Sequence, residues 1–227
     1  MPDTLPACRH VDLSHTIENG TVTYKGLPAP TICDYLSRVK SREIYAAGTE
    51  FHIGRIDMVA NTGTYLDTPF HRYEGGADLA ELNLERIANV PGVVVRVESR
   101  SERAIDAHHF ASVCCKGRAV LVQTDWDRHW GSERYFDGHP FLTEQAALYL
   151  RDQGAWLVGI DSLNIDDTSG GHRPVHSVLL AAGIPIVEHL TGLAALPAAG
   201  FRFSAVPPKV RGMGTFPVRA HAEIPGC

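Results

Sequence analysis

The segment 61–71, which reads Asn-Thr-Gly-Thr-Tyr-Leu-Asp-Thr-Pro-Phe-His, limits the folds open to this chain more than any other stretch. Residues 55–60, directly before it, place apolar side chains at every second position, which predicts a half-buried strand. The glycine and the proline of the segment then interrupt regular structure. We therefore expect Asp67 and His71 to lie on a loop at the end of a strand, where functional groups are often displayed.

Apolar runs and helix-forming stretches follow one another through the rest of the chain. Strands are predicted at 93–97, 119–123, 156–160 and 184–190, helices at 143–153 and 176–182, and a long loop at 125–139. The mixed, polar region 33–50 is predicted as a surface loop or a frayed strand. The run 119–123 is continuously apolar, which predicts burial on both faces of its strand. The sequence contains no internal repeat and no long linker, so a single domain is expected over residues 1–227.

The composition excludes several classes of protein. The 227 residues include 44% hydrophobic and 21% charged side chains, which suits one globular domain. A net charge of −5 gives no basic surface for nucleic acid, and no apolar run approaches the roughly 20 residues that span a bilayer. The amino terminus lacks an apolar signal-peptide core, and the five cysteines form no Cys-x-x-Cys pair. We therefore expect a cytoplasmic protein with reduced thiols and no membrane partner.

Two further side chains are candidates for chemistry in the second half of the chain. Glu188 shares a strand face with Ile184 and Ile186, so its carboxylate is expected to be buried, and burial is costly unless the charge is paired or bound to a cation. His176 opens the preceding helix and is a plausible neighbour. The alternatives are a histidine that faces solvent and a glutamate paired with an arginine such as Arg219.

The segment 61–71 resembles the signature of the metal-dependent cyclase family, which includes bacterial kynurenine formamidase and isatin hydrolase. Five positions carry the resemblance: Gly63, Thr64, Asp67, Pro69 and His71. The first two histidines of the family signature are replaced by Asn61 and Tyr65. A second block, 159–166, is similar to the family as well, and His176 and Glu188 follow it at the matching places.

This resemblance implies a fold and an assembly. The fold is a single-domain α/β structure in which mixed sheets and flanking helices take the swivelling β/β/α arrangement. The assembly is a homodimer or a larger homo-oligomer, in which an aromatic loop reaches the neighbouring subunit's site. The loop 125–139, with Trp126 and Trp130, is the candidate for that role.

The resemblance also implies a metal site. Carried over by position, Asp67, His176 and Glu188 are the ligands of one divalent ion, Zn²⁺ or Mn²⁺, and three protein ligands leave room for a water. At the family's first metal site, Asn61 takes the place of a histidine ligand but offers only a neutral carbonyl oxygen. Tyr65 would have to ionise from a pKa of about 10 in order to bind a metal. We therefore expect the family's first metal site to be absent or weak.

The catalytic and substrate-binding roles follow from the same comparison. His71 is the expected general acid and base, acting on a metal-bound water as the nucleophile. The Tyr65 hydroxyl is either a hydrogen-bond donor to an oxyanion or a plug in the space of the lost metal. Tyr24 is a candidate pocket wall by resemblance, or else an ordinary exposed tyrosine. Trp126 lines an apolar substrate pocket or covers the edge of the core.

The expected function is hydrolysis of a small amide, ester or lactone carbonyl, with kynurenine-formamidase-like chemistry as the nearest named activity. Two alternatives stay open. The first alternative is a small-molecule-binding protein that kept the fold and lost catalysis, which the two replaced histidines favour. The second is a metal-dependent lyase or isomerase, in which His71 acts on a carbon acid.

Overall fold

The computed structural model describes residues 8–97 and 102–226. Within these ranges the strands are β1 (Arg9–Asp12), β2 (Thr31–Leu36), β3 (Ile53–Asp57), β4 (Tyr65–Asp67), β5 (Val90–Arg96), β6 (Ala104–Ile105), β7 (Ala119–Gln123), β8 (Phe141–Leu142), β9 (Leu157–Ile160), β10 (Ile186–Glu188), β11 (Ala199–Ser204), β12 (Thr215–Pro217) and β13 (His221–Ile224). The α-helices are α1 (Arg38–Ser41), α2 (Pro69–Arg72), α3 (Glu144–Asp152) and α4 (Pro174–Ala181). Short 3-10 helices cover Leu84–Arg86, Ala107–Phe110, Trp126–His129, Glu133–Phe136 and Leu193–Ala195.

A mixed sheet is the centre of the fold in the described part of the chain. Its nine strands are arranged in the order β1-β13-β11-β5-β7-β9-β10-β4-β12. The central strands β5, β7, β9 and β10 run parallel, whereas the pairs outside them are antiparallel. This sheet with flanking helices confirms the predicted α/β class. One domain over residues 1–227 stays a prediction, and its ends, 1–7 and 227, lie outside the described residues.

Two apolar clusters cover the two faces of the sheet. Val120 and Val122 of β7 point into the cluster that contains the buried face of α3 and α4. Ala119 and Leu121 of the same strand point into the opposite cluster. Successive side chains of a strand face opposite sides of a sheet, so a continuously apolar run is the pattern that a strand buried on both faces requires. The structure confirms this prediction.

The helix predicted at 143–153 is present as α3. The Thr143 side chain accepts a hydrogen bond from the backbone N–H of Ala146, which satisfies one of the free donors at the helix start. Ala146, Ala147 and Leu150 are buried along one face. None of the α-helices in the described residues is both long and apolar enough to cross a membrane.

One local prediction is wrong. The strand predicted at 55–60 is β3, Ile53–Asp57, and every residue of it is exposed. It pairs with β2 in a separate two-stranded sheet. The region 33–50, predicted as a surface loop or a frayed strand, contains most of the exposed strand β2 and the short helix α1. We call residues 31–57 the arm. An alternating pattern specifies the two faces of a strand, but the surroundings decide whether either face is covered.

The loop 125–139 packs part of its aromatic content within the chain. It forms two 3-10 helices, and the Trp126 indole N–H donates to the backbone carbonyl of Tyr135 over 3.0 Å. Both side chains are buried, and Leu163 completes their cluster. Trp130 of the same loop is only partly buried, and the expected reach of the loop into a neighbouring subunit stays a prediction.

Candidate functional site

Asp67 ends β4, a short strand between β10 and β12. Strand pairing places Ile186 on one side of it and Thr215 on the other. Its carboxylate is fully buried, and Oδ1 accepts a hydrogen bond from the Thr215 hydroxyl. Oδ2 is buried and has no hydrogen-bond partner among the described residues. A buried carboxylate oxygen without a donor is costly, so this position favours a positive charge.

His176 lies in the first turn of α4 and points toward Asp67. Its Nδ1 lies 2.6 Å from Asp166 Oδ2, and Asp166 also accepts the backbone N–H groups of Val175 and His176. The Nδ1–H is therefore assigned to Asp166, which directs Nε2 toward Asp67 Oδ2 at 3.6 Å and Glu188 Oε1 at 3.7 Å. Burial lowers the pKa of His176, but the surrounding carboxylates outweigh burial and raise it to about 10.

Glu188 ends β10 and is also buried. Oε1 accepts the backbone N–H of Ile165 over 2.7 Å, and Oε2 accepts the Tyr65 hydroxyl over 2.7 Å. The Asn164 amide donates to Oε2 as well, over 3.3 Å. Burial raises the pKa of Glu188 to about 7, with His176 acting in the opposite direction. The carboxylate therefore sits where its charge depends on a nearby cation or proton.

The alternatives left open for these two residues can now be decided. His176 is only 5% exposed, so it does not face solvent. Glu188 has no arginine partner among the ion pairs of the described residues, and Arg219 instead pairs with Asp12 at 2.6 Å. The two side chains are neighbours in space, as the sequence predicted.

His71 lies on α2, at the edge of the same site. Its Nδ1 is 2.8 Å from the Thr215 hydroxyl oxygen and 3.7 Å from Asp67 Oδ1. The one proton of the hydroxyl goes to Asp67, so the oxygen accepts from the Nδ1–H of His71. This assignment leaves Nε2 of a partly exposed imidazole free to take or give a proton.

Asn61 and Tyr65 stand where the family signature has histidines. Both line the cavity at Glu188, and Tyr65 is fully buried. Burial, with Glu188 and Asp67 adding to it, raises the pKa of the Tyr65 hydroxyl well above its usual value. A neutral phenol is a poor metal ligand, so this position cannot replace a histidine at a metal.

Two adjoining cavities open onto these side chains. The smaller has a volume of about 370 Å³, and its lining includes Tyr24, Leu27, Asn61, Tyr65, His71, His176 and Glu188. The larger has a volume of about 750 Å³, shares His71 and His176, and carries Arg72 and Arg173 on its wall. Tyr24 is thus placed at the site, whereas Trp126 is absent from the described lining of both cavities and packs in the core edge.

Asp166, Asn164 and Thr215 hold the side chains predicted to act, and none of the three had a predicted role. Asp166 accepts the backbone N–H groups of Val175 and His176 from 9 and 10 positions earlier in the chain, which is outside the spacing of a helix cap. Thr215 had no local signal either, since it meets Asp67 across 148 positions of sequence through the pairing of β12 with β4.

The donor set fits a divalent cation. Two buried carboxylates and one oriented imidazole converge, and Asp67 Oδ2 lacks any other partner in the described structure. A second possible ligand group consists of Asp67, His71 and His176, with one ligand atom of each within 4.8 Å of the others. This group contains His71, whereas the ligand set predicted from the sequence contains Glu188.

Comparison with known proteins agrees with this architecture. The family model named Cyclase matches residues 11–167. A kynurenine formamidase of Geobacillus thermodenitrificans is 26% identical over 211 residues, which is 92% of this chain and 95% of that protein. A kynurenine formamidase of Bacillus cereus is 24% identical over 182 residues, 79% of this chain and 81% of that protein.

Solved structures show the same fold. A structure described as a potential metal-dependent hydrolase with cyclase activity superposes with a TM-score of 0.77 at 28% identity, over 96% of this chain and 98% of that one. Isatin hydrolase A of Labrenzia aggregata superposes with a TM-score of 0.83 at 22% identity, over 96% and 94% of the two chains.

Proposed function

This chain belongs to the cyclase family, and from that premise we propose that it is a divalent-metal-dependent hydrolase of a small amide, ester or lactone carbonyl. The observation that carries the proposal is the convergence of Asp67, His176 and Glu188, three buried side chains with one unpartnered carboxylate oxygen. Similarity to kynurenine formamidases and to a metal-dependent hydrolase structure supports the same class of reaction.

Asp67, His176 and Glu188 would hold the cation, and Zn²⁺ or Mn²⁺ suits one imidazole with two carboxylates. When bound, such an ion supplies a Lewis acid that polarises a carbonyl and lowers the pKa of water. We assign Glu188 to the ligand set in preference to His71, because Glu188 is a buried carboxylate that needs a compensating charge. His71 is partly exposed, and its Nδ1 is engaged by Thr215.

His71 is then the general acid and base. The Thr215 hydroxyl holds its Nδ1–H, so Nε2 is the atom that takes a proton from the attacking water and returns it to the leaving group. Of the two roles predicted for Tyr65, the side chain that fills the space of a lost metal is supported, because its hydroxyl donates to Glu188 over 2.7 Å and has no second proton for an oxyanion. Tyr24 and Leu27 would form the wall against the substrate.

Arg72 and Arg173 favour a substrate with a negative charge. Neither forms an ion pair with a carboxylate among the described residues, and both line the larger cavity beside His71 and His176. Arg173 Nη1 donates to three backbone carbonyls, which fixes the position of its guanidinium without neutralising its charge. Guanidinium groups are suited to binding carboxylates. We therefore expect kynurenine-formamidase-like substrates that carry a carboxylate to be turned over better than their uncharged analogues.

The test is a substrate panel on protein loaded with Zn²⁺ or Mn²⁺. It contains aryl formamides with and without a carboxylate, aryl esters, lactones and cyclic amides, assayed in ¹⁸O-water. We expect one cation per chain and turnover with solvent oxygen in the product. Absence of a cation after supplementation would instead identify a binding protein, and products without ¹⁸O would identify a lyase or isomerase.

Packing around His71 gives a further expected result. The backbone of Gly214 approaches α2 so closely that an added Cβ would lie 2.3 Å from the backbone N of His71. We expect Gly214→Ala to displace His71, to lower kcat about 100-fold and to destabilise the fold by about 1–3 kcal/mol. Gly75→Ala, which adds a methyl group in open space, is the control. Wild-type kcat and melting temperature in Gly214→Ala would contradict the argument.

The arm supports the predicted homo-oligomer. Its apolar side chains are exposed on both strands and on α1, with Tyr35 at 73% and Val39 at 66%. An isolated two-stranded sheet is marginally stable in water, and a second copy of the chain would cover it. We expect a dimer or larger assembly in sedimentation at micromolar concentration, and Tyr35→Glu to shift it toward monomer. A monomeric wild-type protein would contradict the predicted homo-oligomer.

The cytoplasmic location stays a prediction.

A further inference from the structure

We propose that Tyr135, His189 and Tyr65 form a buried hydrogen-bonded relay that positions Glu188 and occupies the place of a second cation, so that the site holds one metal ion. This inference rests on the proposed function in one respect, the role of Glu188 as a ligand. It gives a purpose to three side chains that the catalytic assignment leaves unused.

The relay is continuous and closed to solvent. The Tyr135 hydroxyl lies 2.8 Å from His189 Nδ1, and His189 Nε2 lies 3.3 Å from the Tyr65 hydroxyl oxygen. Tyr65 then reaches Glu188 Oε2 over 2.7 Å. All four side chains are at most 2% exposed. Buried polar groups of this kind are costly unless each is satisfied, and here each one is.

The direction of every proton follows from the final acceptor. An ionised Glu188 only accepts hydrogen bonds, so the Tyr65 hydroxyl must donate to it. The Tyr65 oxygen therefore accepts from His189 Nε2–H, which leaves Nδ1 of a neutral imidazole to accept from the Tyr135 hydroxyl. In the order Tyr135, His189, Tyr65, Glu188, each donor therefore faces one acceptor, and no two donors or two acceptors face each other.

The backbone is shaped to present His189 in this position. His189 has φ of +56°, a left-handed conformation that is strained for a residue with a Cβ. The Thr64 hydroxyl holds it by donating to the His189 carbonyl over 2.6 Å, and the Trp130 ring packs against the imidazole at 5.7 Å between centroids. Strain of this kind persists where the surroundings over-determine it, which is common at functional sites.

The consequence for the metal lies in the two oxygens of Glu188. Oε2 accepts from both Tyr65 and Asn164, whereas Oε1, among the described residues, accepts only the backbone N–H of Ile165 and lies 3.7 Å from His176 Nε2. The relay thereby presents one defined oxygen to a cation. The Tyr65 oxygen already accepts a hydrogen bond and keeps its proton, so it cannot serve a second ion.

The experiment removes one oxygen atom at the far end of the relay. Tyr135→Phe leaves the metal ligands untouched, and Tyr149→Phe, a partly buried tyrosine of α3, is the matched control. Zn²⁺ affinity is measured by chelator competition, and Co²⁺ substitution reports ligand geometry through its visible spectrum. We expect Tyr135→Phe to weaken binding about 10-fold or more and to change the Co²⁺ spectrum, because partners behind a ligand typically contribute 10–100-fold to metal affinity. Tyr149→Phe should change neither.

A second variant keeps the test decisive if Tyr135→Phe folds poorly. The double variant N61H/Y65H restores two imidazoles, and we expect it to bind two cations per chain where the wild type binds one. Wild-type affinity and spectrum in a folded Tyr135→Phe, or two cations in the wild type, would overturn the relay while leaving the hydrolase assignment intact. No cation in the wild type would overturn both.

Discussion

Asp67→Asn is expected to abolish cation binding and reduce hydrolysis to background. The substitution keeps the shape of the side chain but removes the charge from the only buried carboxylate oxygen that has no hydrogen-bond partner in residues 8–97 and 102–226. Because the metal-free site holds Asp67 and Glu188 near one imidazole, removing one negative charge should leave the melting temperature of metal-free protein unchanged or raise it. Loss of function with retained stability separates a ligand from a structural residue.

The measurements for this variant are metal content after dialysis against Zn²⁺ or Mn²⁺, thermal melting without metal, and turnover of the best substrate. Asp34→Asn is the matched control, since Asp34 is an exposed carboxylate paired with His52 in the arm. An Asp67→Asn protein that binds the cation and hydrolyses substrate at the wild-type rate would refute the proposed site.

His71→Ala should lower kcat on the order of 10²–10⁴-fold while leaving cation affinity within a few-fold of wild type, because general acid–base catalysis contributes that much. Glu188→Gln should behave differently and lose the cation. This contrast decides between the two three-residue groups, since a ligand role for His71 would make His71→Ala lose the metal.

The comparison uses kcat, KM and cation affinity for both variants, with His108→Ala as an exposed-histidine control. If His71→Ala binds no cation and Glu188→Gln binds it normally, the ligand set is Asp67, His71 and His176, and the acid–base role must pass to another group. Thr215 would then position a ligand in place of a base.

The proximity of three predicted site residues could be anticipated from the sequence. The signature around Asp67, a histidine at a helix start and a glutamate on an apolar strand face are local patterns. In the structure His176 Nε2 lies 3.6 Å from Asp67 Oδ2 and 3.7 Å from Glu188 Oε1, and the role of these residues as ligands stays a prediction. The positions of the buried strands were predictable for a related reason. Continuous apolar runs are needed wherever both faces of a sheet are covered.

Other features had no local pattern. The alternation in 55–60 is the same whether a strand lies on a core or in an exposed arm, so its burial was predicted wrongly. The aromatic loop 125–139 folds inward because the hydroxyl of Tyr135 finds His189, a partner 54 positions away. Sequence spacing contains no information about such pairs.

The amino-acid sequence by itself determined which chemical groups this protein has: the two carboxylates and one imidazole of the proposed ligand set, the loss of two signature histidines, and the apolar runs that require an α/β core. Only the tertiary structure decided how these groups are oriented and protonated. Thr215, Asp166 and the Tyr135–His189–Tyr65 relay fix those orientations through hydrogen bonds between distant segments. A hydrogen bond depends on distance and angle in space, and these arise only when the sheet has brought its strands together.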